Sequence, residues 1–257
     1  MVDSNFKRLI RFEDSSGAIH YGEVPESHLW HDDLTGVSVP LYNGGLPWES
    51  DFKRTQNTAK IVKVLSPVEA APIVYGIGLN YRHHAEEAKV RYLILNKSTL
   101  NLGYTVGNDV SSRYWQDPVR AGGQHGYAKA FDKFSPIGPV LVSTSQILNP
   151  SKLTLKTTVN GEQRQLTKTD DLIFDIPAIV RHLTRGRTVS PGTVVMTGTP
   201  SGVAASMNPP AWLKDGDVVK VEVSEIGRSV TELFTSSVHE RGVVILMAWR
   251  KRWAQDV

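Results

Sequence analysis

The segment GLNYRHHAEEAK (78–89) sets His84 and Glu87 three residues apart, so one helical turn would bring imidazole and carboxylate side by side. A carboxylate beside an imidazole orients the ring and raises its basicity, which is how a water is activated. The same letters also read as an ordinary solvated helix start. In GYTVGNDVSSRYWQ (103–116), Asp109 follows an apolar stretch, and a carboxylate at a strand exit can ligate a hard cation such as Mg²⁺. Arg113 can fork onto a substrate carboxylate. A turn aspartate and a surface arginine are the plainer alternative. Lys129, in YAKAFDKFSPIGP (127–139), is a cation able to hold a developing enolate or carboxylate charge. Thr197 to Gly202, TGTPSG, is a small-residue loop leaving a strand. Its hydroxyls and amides can receive an anionic ligand, or simply make a tight turn.

Other chemistries lack their residues. Gly76-Ile77-Gly78 begins like a dinucleotide loop, but Tyr81 stands where the third glycine belongs. There is no P-loop spacing, no Gly-x-Ser-x-Gly elbow and no His-Glu-x-x-His helix. Cysteine is absent, which removes disulfides, thiolate metal sites and cysteine nucleophiles together.

The elements that must position these groups are mostly strands. Phe6 to Phe12 and Ala18 to Val24 flank the turn signal Ser15-Ser16-Gly17 and predict a hairpin. Ile61 to Leu65 is a third candidate strand, and Ile73 to Leu79 reads as a buried one. Leu153 to Val159 leads into Asn160-Gly161, whose residues tolerate the positive φ of a type I′ hairpin turn. Val194 to Thr197 and Val218 to Val223 follow as strands. One helix stands out. Asp175 can cap it, Pro177 is tolerated in its first turn, Ile176, Ile179, Val180 and Leu183 share a face, and Gly186 ends it. Many strands with few helices predict an α+β, mainly β architecture. The break at Ser66-Pro67 suggests a small β-rich N-terminal domain over 1–66 and a second domain over 70–234.

With 257 residues and a net charge of +3, the chain is long enough for a sizeable core and too nearly neutral to argue nucleic-acid binding. Its longest apolar run, Val243 to Trp249, is seven residues, too short to span a membrane. The first residues carry charges where a signal peptide needs an apolar stretch, so a cytoplasmic location is expected.

In their order and surroundings these motifs resemble the fumarylacetoacetate hydrolase family. The resemblance rests on YGIGLNYRHHAEE (75–87), GYTVGNDVSSRYWQ (103–116), YAKAFDKFSPIGPVLVS (127–143), TTVNGEQRQLTKTDDLIFDI (157–176), VSPGTVVMTGTPSGVA (189–204) and LKDGDVVKVEVSEIG (213–227). The N-terminal segment looks like that of fungal members. The resemblance implies a mixed β-sandwich roll, a divalent cation (Mg²⁺, Mn²⁺ or Ca²⁺) and a homodimer. It implies hydrolysis or decarboxylation of a small β-keto acid or β-diketone such as an acylpyruvate, fumarylacetoacetate or an oxaloacetate-like acid; some members isomerise related compounds. By the same resemblance His84 and Glu87 match the water-activating dyad, Asp109 a metal ligand, and Lys129 the active-site lysine. Arg113, Gln116 and Thr199 match substrate contacts.

The chain departs from the family pattern twice. Between the His-x-x-Glu and Gly-Tyr-Thr-Val segments, members carry a few dozen further residues that include a Glu-x-Glu pair of metal ligands. Here KVRYLILNKSTLNL (89–102) bridges the gap without one acidic residue. That leaves Asp109 as the expected ligand, and one carboxylate makes a poor magnesium site. After Gly227 an apolar, then basic tail (235–257) replaces the short closing strand. An unspliced intron or a frame error would produce both departures. The alternative function is therefore a catalytically inactive or truncated member that serves as a binding or dimer partner.

Overall fold

The computed structural model describes residues 4–28, 31–88, 102–235 and 247–249. The two departures from the family pattern fall mostly outside these residues.

The described residues include fourteen strands and three short α-helices. Strands β1 (Arg8–Glu13) and β2 (Ile19–Glu23) form the expected hairpin, with Leu9 opposite Glu23 and Glu13 opposite Ile19. The carboxylate of Asp14 closes its turn by accepting from the amides of Ser16 and Ala18 and from the Ser16 hydroxyl. Strands β3 (Ser38–Asn43) and β4 (Lys53–Lys60) extend the sheet antiparallel beyond β2. The other edge of β1 pairs with β5 (Lys63–Leu65) at its C-terminal half. Strand β6 (Val74–Gly76) and helix α1 (Arg82–Glu87) follow, then β7 (Gly103–Tyr104), the one-turn helix α2 (Pro118–Ala121) and β8 (Val140–Ser143). β8 pairs with the N-terminal half of β1 and with β7, giving seven strands in one sheet. Residues 1–66 and the segment after 70 therefore share a sheet.

Strands β9 (Thr154–Val159) and β10 (Glu162–Lys168) form the second hairpin. Asn160 and Gly161 both adopt positive φ, +51° and +85°, as a primed hairpin turn requires. Helix α3 (Ile176–Thr184) is the predicted one: Asp175 accepts from the Ala178 amide at 2.8 Å, and Ile179 and Leu183 are buried. Strand β11 (Val194–Met196) lies against β6, and β12 (Val218–Val223), β13 (Gly227–Thr235) and β14 (Met247–Trp249) complete a five-stranded sheet in the order β10-β9-β12-β13-β14.

The two large sheets share one core. Ile10, Phe12, Val39, Val140 and Val142 from the first cluster with Val159, Val219, Val221 and Leu233 from the second. Successive residues of β1 face opposite ways, so Leu9 packs instead with Phe6, Tyr42, Phe52 and Leu141. This is an α+β, mainly β fold.

One expectation fails. The apolar run 73–79 is not a buried strand: β6 spans three residues, and Ile73 and Val74 are 44% and 41% exposed. β6 pairs with β11 alone, in a parallel two-stranded ribbon that joins neither large sheet among the described residues. Because the pairing is parallel, both strands end at the same place, so the chain after Gly76 and the chain after Met196 leave side by side.

Asn80 locks these two exits together. It is 1% exposed, and its Nδ2 donates to the carbonyls of Phe174 (3.0 Å) and Thr197 (2.8 Å). Its Oδ1 accepts from the Phe174 amide at 2.8 Å. Three segments distant in sequence thus meet at one side-chain amide. Replacing it by leucine would bury three backbone groups without these partners, each costing about 1–3 kcal/mol. We expect Asn80→Leu to lower the unfolding free energy by about 3 kcal/mol or more, measured by urea unfolding; an unchanged midpoint would refute the lock.

Candidate active site

The chain leaving β6 turns through Leu79 at φ +55° and enters α1 at the fully buried Tyr81. On this helix the His84 Nδ1 and Glu87 Oε2 stand 3.0 Å apart. The imidazole is nearly covered, at 12% exposed, and the carboxylate is 27% exposed. With Glu87 accepting the Nδ1 proton, Nε2 is left as the free basic nitrogen. Tyr81 sits one turn earlier. Burial, opposed by a hydrogen bond with Thr197, pushes its hydroxyl up to about 12, so it can donate a hydrogen bond but not serve as a base at neutral pH.

Asp109 and Lys129 come from two loops zipped together by backbone bonds. The Asn108 amide donates to Pro136, the Gly138 amide to Val106, and the Ser112 amide to Ala128. The last bond sets the turn carrying Lys129 (Tyr127–Lys129) against the loop carrying Asp109. Lys129 Nζ then donates to Asp109 Oδ2 at 2.5 Å and to Ser111 Oγ at 2.8 Å. Arg113 lies four residues beyond Asp109 and makes no ion pair among the described residues.

Thr199 belongs to the loop leaving β11. Gly198, at φ +121°, brings this loop so close that a Cβ there would stand 3.2 Å from the Ile77 carbonyl oxygen. Gln165 on β10 holds Thr199: its Nε2 donates to Thr199 Oγ1 and to the Pro200 carbonyl, both at 2.9 Å. With its oxygen accepting from the amide, the Thr199 hydroxyl keeps its own proton to offer elsewhere.

His84, Asp109, Arg113, Gln116, Lys129 and Thr199 all line one cleft of about 1690 Å³. Glu87 stands behind His84 and does not line it. The cleft is larger than the ~300–1,000 Å³ of a typical small-molecule site. Its apolar walls come from α3 and the inner face of β9 and β12, including Ile179, Leu183, Leu155 and Val221. Sequence reasoning missed Asn80, Gln165 and Arg164, the last two also on the wall. None belongs to a generic catalytic spacing.

Residues 98–233 match the family model described as fumarylacetoacetate (FAA) hydrolase C-terminal. The chain belongs to the fumarylacetoacetate hydrolase family. It is 32% identical over 227 residues to the fumarylacetoacetate hydrolase domain-containing protein 2 homolog of Dictyostelium discoideum, covering 66% of this chain and 74% of that one. It is 40% identical over 125 residues to oxaloacetate tautomerase YisK of Bacillus subtilis, covering 49% of this chain and 40% of YisK. The mitochondrial oxaloacetate tautomerase fahd2 of Xenopus laevis is 36% identical over 157 residues, 61% of this chain and 46% of that protein. The chain thus spans less than half the length of these two tautomerases. Among solved structures, the 2-hydroxyhepta-2,4-diene-1,7-dioate isomerase of Mycobacterium marinum superposes with a TM-score of 0.68 at 26% identity, covering 87% of this chain and 96% of that one. The fumarylacetoacetate hydrolase of Exiguobacterium antarcticum gives 0.63 at 26% identity, covering 87% and 97%. The fold class read from the strand pattern and the family resemblance both agree with these matches.

The divalent-cation site implied by the resemblance is not assembled by the described residues. No group of three or more histidine, aspartate or glutamate side chains among them could hold a metal ion. Asp109 is the one carboxylate among the described residues lining the cleft, and the Lys129 ammonium already occupies it. Arg113, Lys129 and Arg164 set three positive charges against that one negative charge, a field that repels a dication and draws an anion. Residues 89–101 add Lys89, Arg91 and Lys97 to the sequence and no acid. Calorimetric titration with MnCl₂ is expected to show no saturable site tighter than about 1 mM; micromolar binding would mean that carboxylates outside this set are recruited.

Proposed function

We propose that the chain is an enzyme that moves a proton at the carbon beside the carbonyl of a small oxo-acid, interconverting keto and enol forms of an oxaloacetate-like substrate. The observation that carries the reading is the His84–Glu87 pair set beside the same cleft as three cationic side chains. A base and an anion-holding field are what such a reaction needs. The relatives named oxaloacetate tautomerases favour this substrate class.

The chemistry requires no group beyond this chain's own. Arg113 receives the substrate carboxylate, and the Thr199 hydroxyl donates a hydrogen bond to another of the substrate's oxygens. Nε2 of His84 takes a proton from the carbon next to the carbonyl. The electron pair left behind forms the carbon–carbon double bond, and the carbonyl pair moves onto oxygen. Lys129 stabilises that enolate oxygen, and the imidazolium returns its proton there. Glu87 holds the imidazolium in place while it is charged, in the manner of a general acid–base pair.

Carbon–carbon cleavage, by hydrolysis or by decarboxylation, is the second reading. It shares the enolate, and the His84–Glu87 pair favours it because the same base can activate a water. Release of pyruvate or carbon dioxide from oxaloacetate distinguishes cleavage from tautomerisation, in which the enol absorbance changes while carbon is conserved. A member that binds without turning over would show neither signal.

We expect His84→Ala to lower kcat for oxaloacetate enolisation by about 10²–10⁴-fold, followed by the enol absorbance, with the melting temperature nearly unchanged. Glu87→Gln is expected to lower it by a smaller factor. EDTA is expected to leave the wild-type rate within about twofold, since the charge is supplied by Lys129. A His84→Ala variant as fast as wild type would sink the proposal, and a rate abolished by EDTA would return the enolate to a metal.

A further inference from the structure

Strand β10 pairs with β9 in register at Glu162–Val159 and Gln163–Thr158, and resumes at Gln165–Thr157. Arg164 is the extra residue between them. It is the bulge itself, with no partner across the ladder. In a regular strand, neighbours point to opposite faces. Here Arg164 and Gln165 are adjacent in sequence, yet both line the cleft. The bulge is what allows this.

The loop that carries Thr199 is fitted against the same bulge. A Cβ on Gly202 would stand 2.0 Å from the Arg164 carbonyl oxygen, and Gly202 adopts φ +95°. Gln165 reaches Thr199 from the next position. Arg164 therefore stands beside the Thr199 end of the site.

Its guanidinium is poorly matched for a nearly covered cation. The side chain is 19% exposed, and Nε is buried with no hydrogen-bond partner among the described residues. One terminal nitrogen donates only to the Met207 thioether, at 3.0 Å, and sulfur is a weak acceptor. The other lies 3.4 Å from Glu162, a carboxylate 72% exposed to solvent, a contact of little worth. A guanidinium presents five donors in a fixed fork suited to a carboxylate. A covered guanidinium met by one sulfur atom and one solvent-exposed carboxylate has donors left to give an anion.

We propose that Arg164 receives a second carboxylate of the substrate, apart from the one held by Arg113, and so selects dicarboxylic over monocarboxylic oxo-acids. This rests on the oxo-acid reading above and narrows it. Arg164 takes no part in the proton transfer. It is a specificity residue, reading the end of the substrate that does not react.

The test is calorimetric titration of the full chain with two matched ligands, malate and 2-hydroxybutyrate. They differ in a carboxylate against a methyl group at one end. Wild type is expected to bind malate at least about tenfold tighter, as a charge-assisted hydrogen bond pair allows. Arg164→Gln is expected to erase that ratio by weakening malate alone, and Arg164→Lys to restore part of it. Met207→Leu, which removes only the sulfur contact, is expected to leave the ratio unchanged. Equal binding of the two ligands to wild type overturns the inference, as does an Arg164→Gln variant that keeps the preference or weakens both ligands alike. Malate selection without oxaloacetate turnover would overturn the proton-transfer reading and leave Arg164 its role. Turnover without malate selection would do the reverse.

Discussion

The site depends on the hydrogen bonds of one buried amide. Asn80 gives both of its Nδ2 protons to carbonyls and takes an amide proton at Oδ1, each bond reaching a segment far away in sequence. Around that point the chain leaving β6, the chain entering α3 and the loop after β11 are fixed together. A side chain of another type cannot serve. Aspartate has no proton to give, and leucine would leave carbonyls and an amide unpaired in a place water does not reach. His84 on one branch and Thr199 on another are held at a set separation because this joint does not give.

The electrostatics follow from which charges are paired. Glu87 serves His84, and Asp109 serves Lys129. Asp109, the one acid lining the cleft among the described residues, is thus already paired. What faces the cleft beyond these pairs is positive, from Arg113 and Arg164 together with the ammonium of Lys129. A pocket built this way suits a small polyanion and has little to offer a dication. The family pattern leads one to look for a magnesium ion at Asp109; among the described residues that carboxylate instead meets the ammonium of Lys129.

Irregular backbone supplies the rest of the specificity. A regular β10 could show the cleft either Arg164 or Gln165. The inserted residue lets both line it, with Gln165 reaching the hydroxyl of Thr199. Gly198 and Gly202 matter for a related reason. Gly202 lets its loop approach backbone more closely than a side chain would allow, Gly198 permits an approach few side chains tolerate, and each sits in a conformation that favours glycine. The small residues of TGTPSG are thus explained by proximity to their neighbours, without an anion having to bind the loop amides.

Local chemistry was legible in the letters themselves. Asn160-Gly161 specifies its own turn, Asp175 its own helix cap, and His84 and Glu87 their own contact one turn apart, because each involves residues within four positions. Long-range placement was not. The run 73–79 is apolar enough for a buried strand, and whether it is covered depends on how many strands flank it, which no local pattern records. Asn80, Gln165 and Arg164 were invisible for the same reason. Their partners lie 94, 34 and 43 residues away, so their roles arise only when the parallel ribbon, the bulge and the loops are brought together. Composition and spacing determined which chemical groups this protein has; tertiary structure decided which of them are neutralised by each other and which are left to meet a ligand.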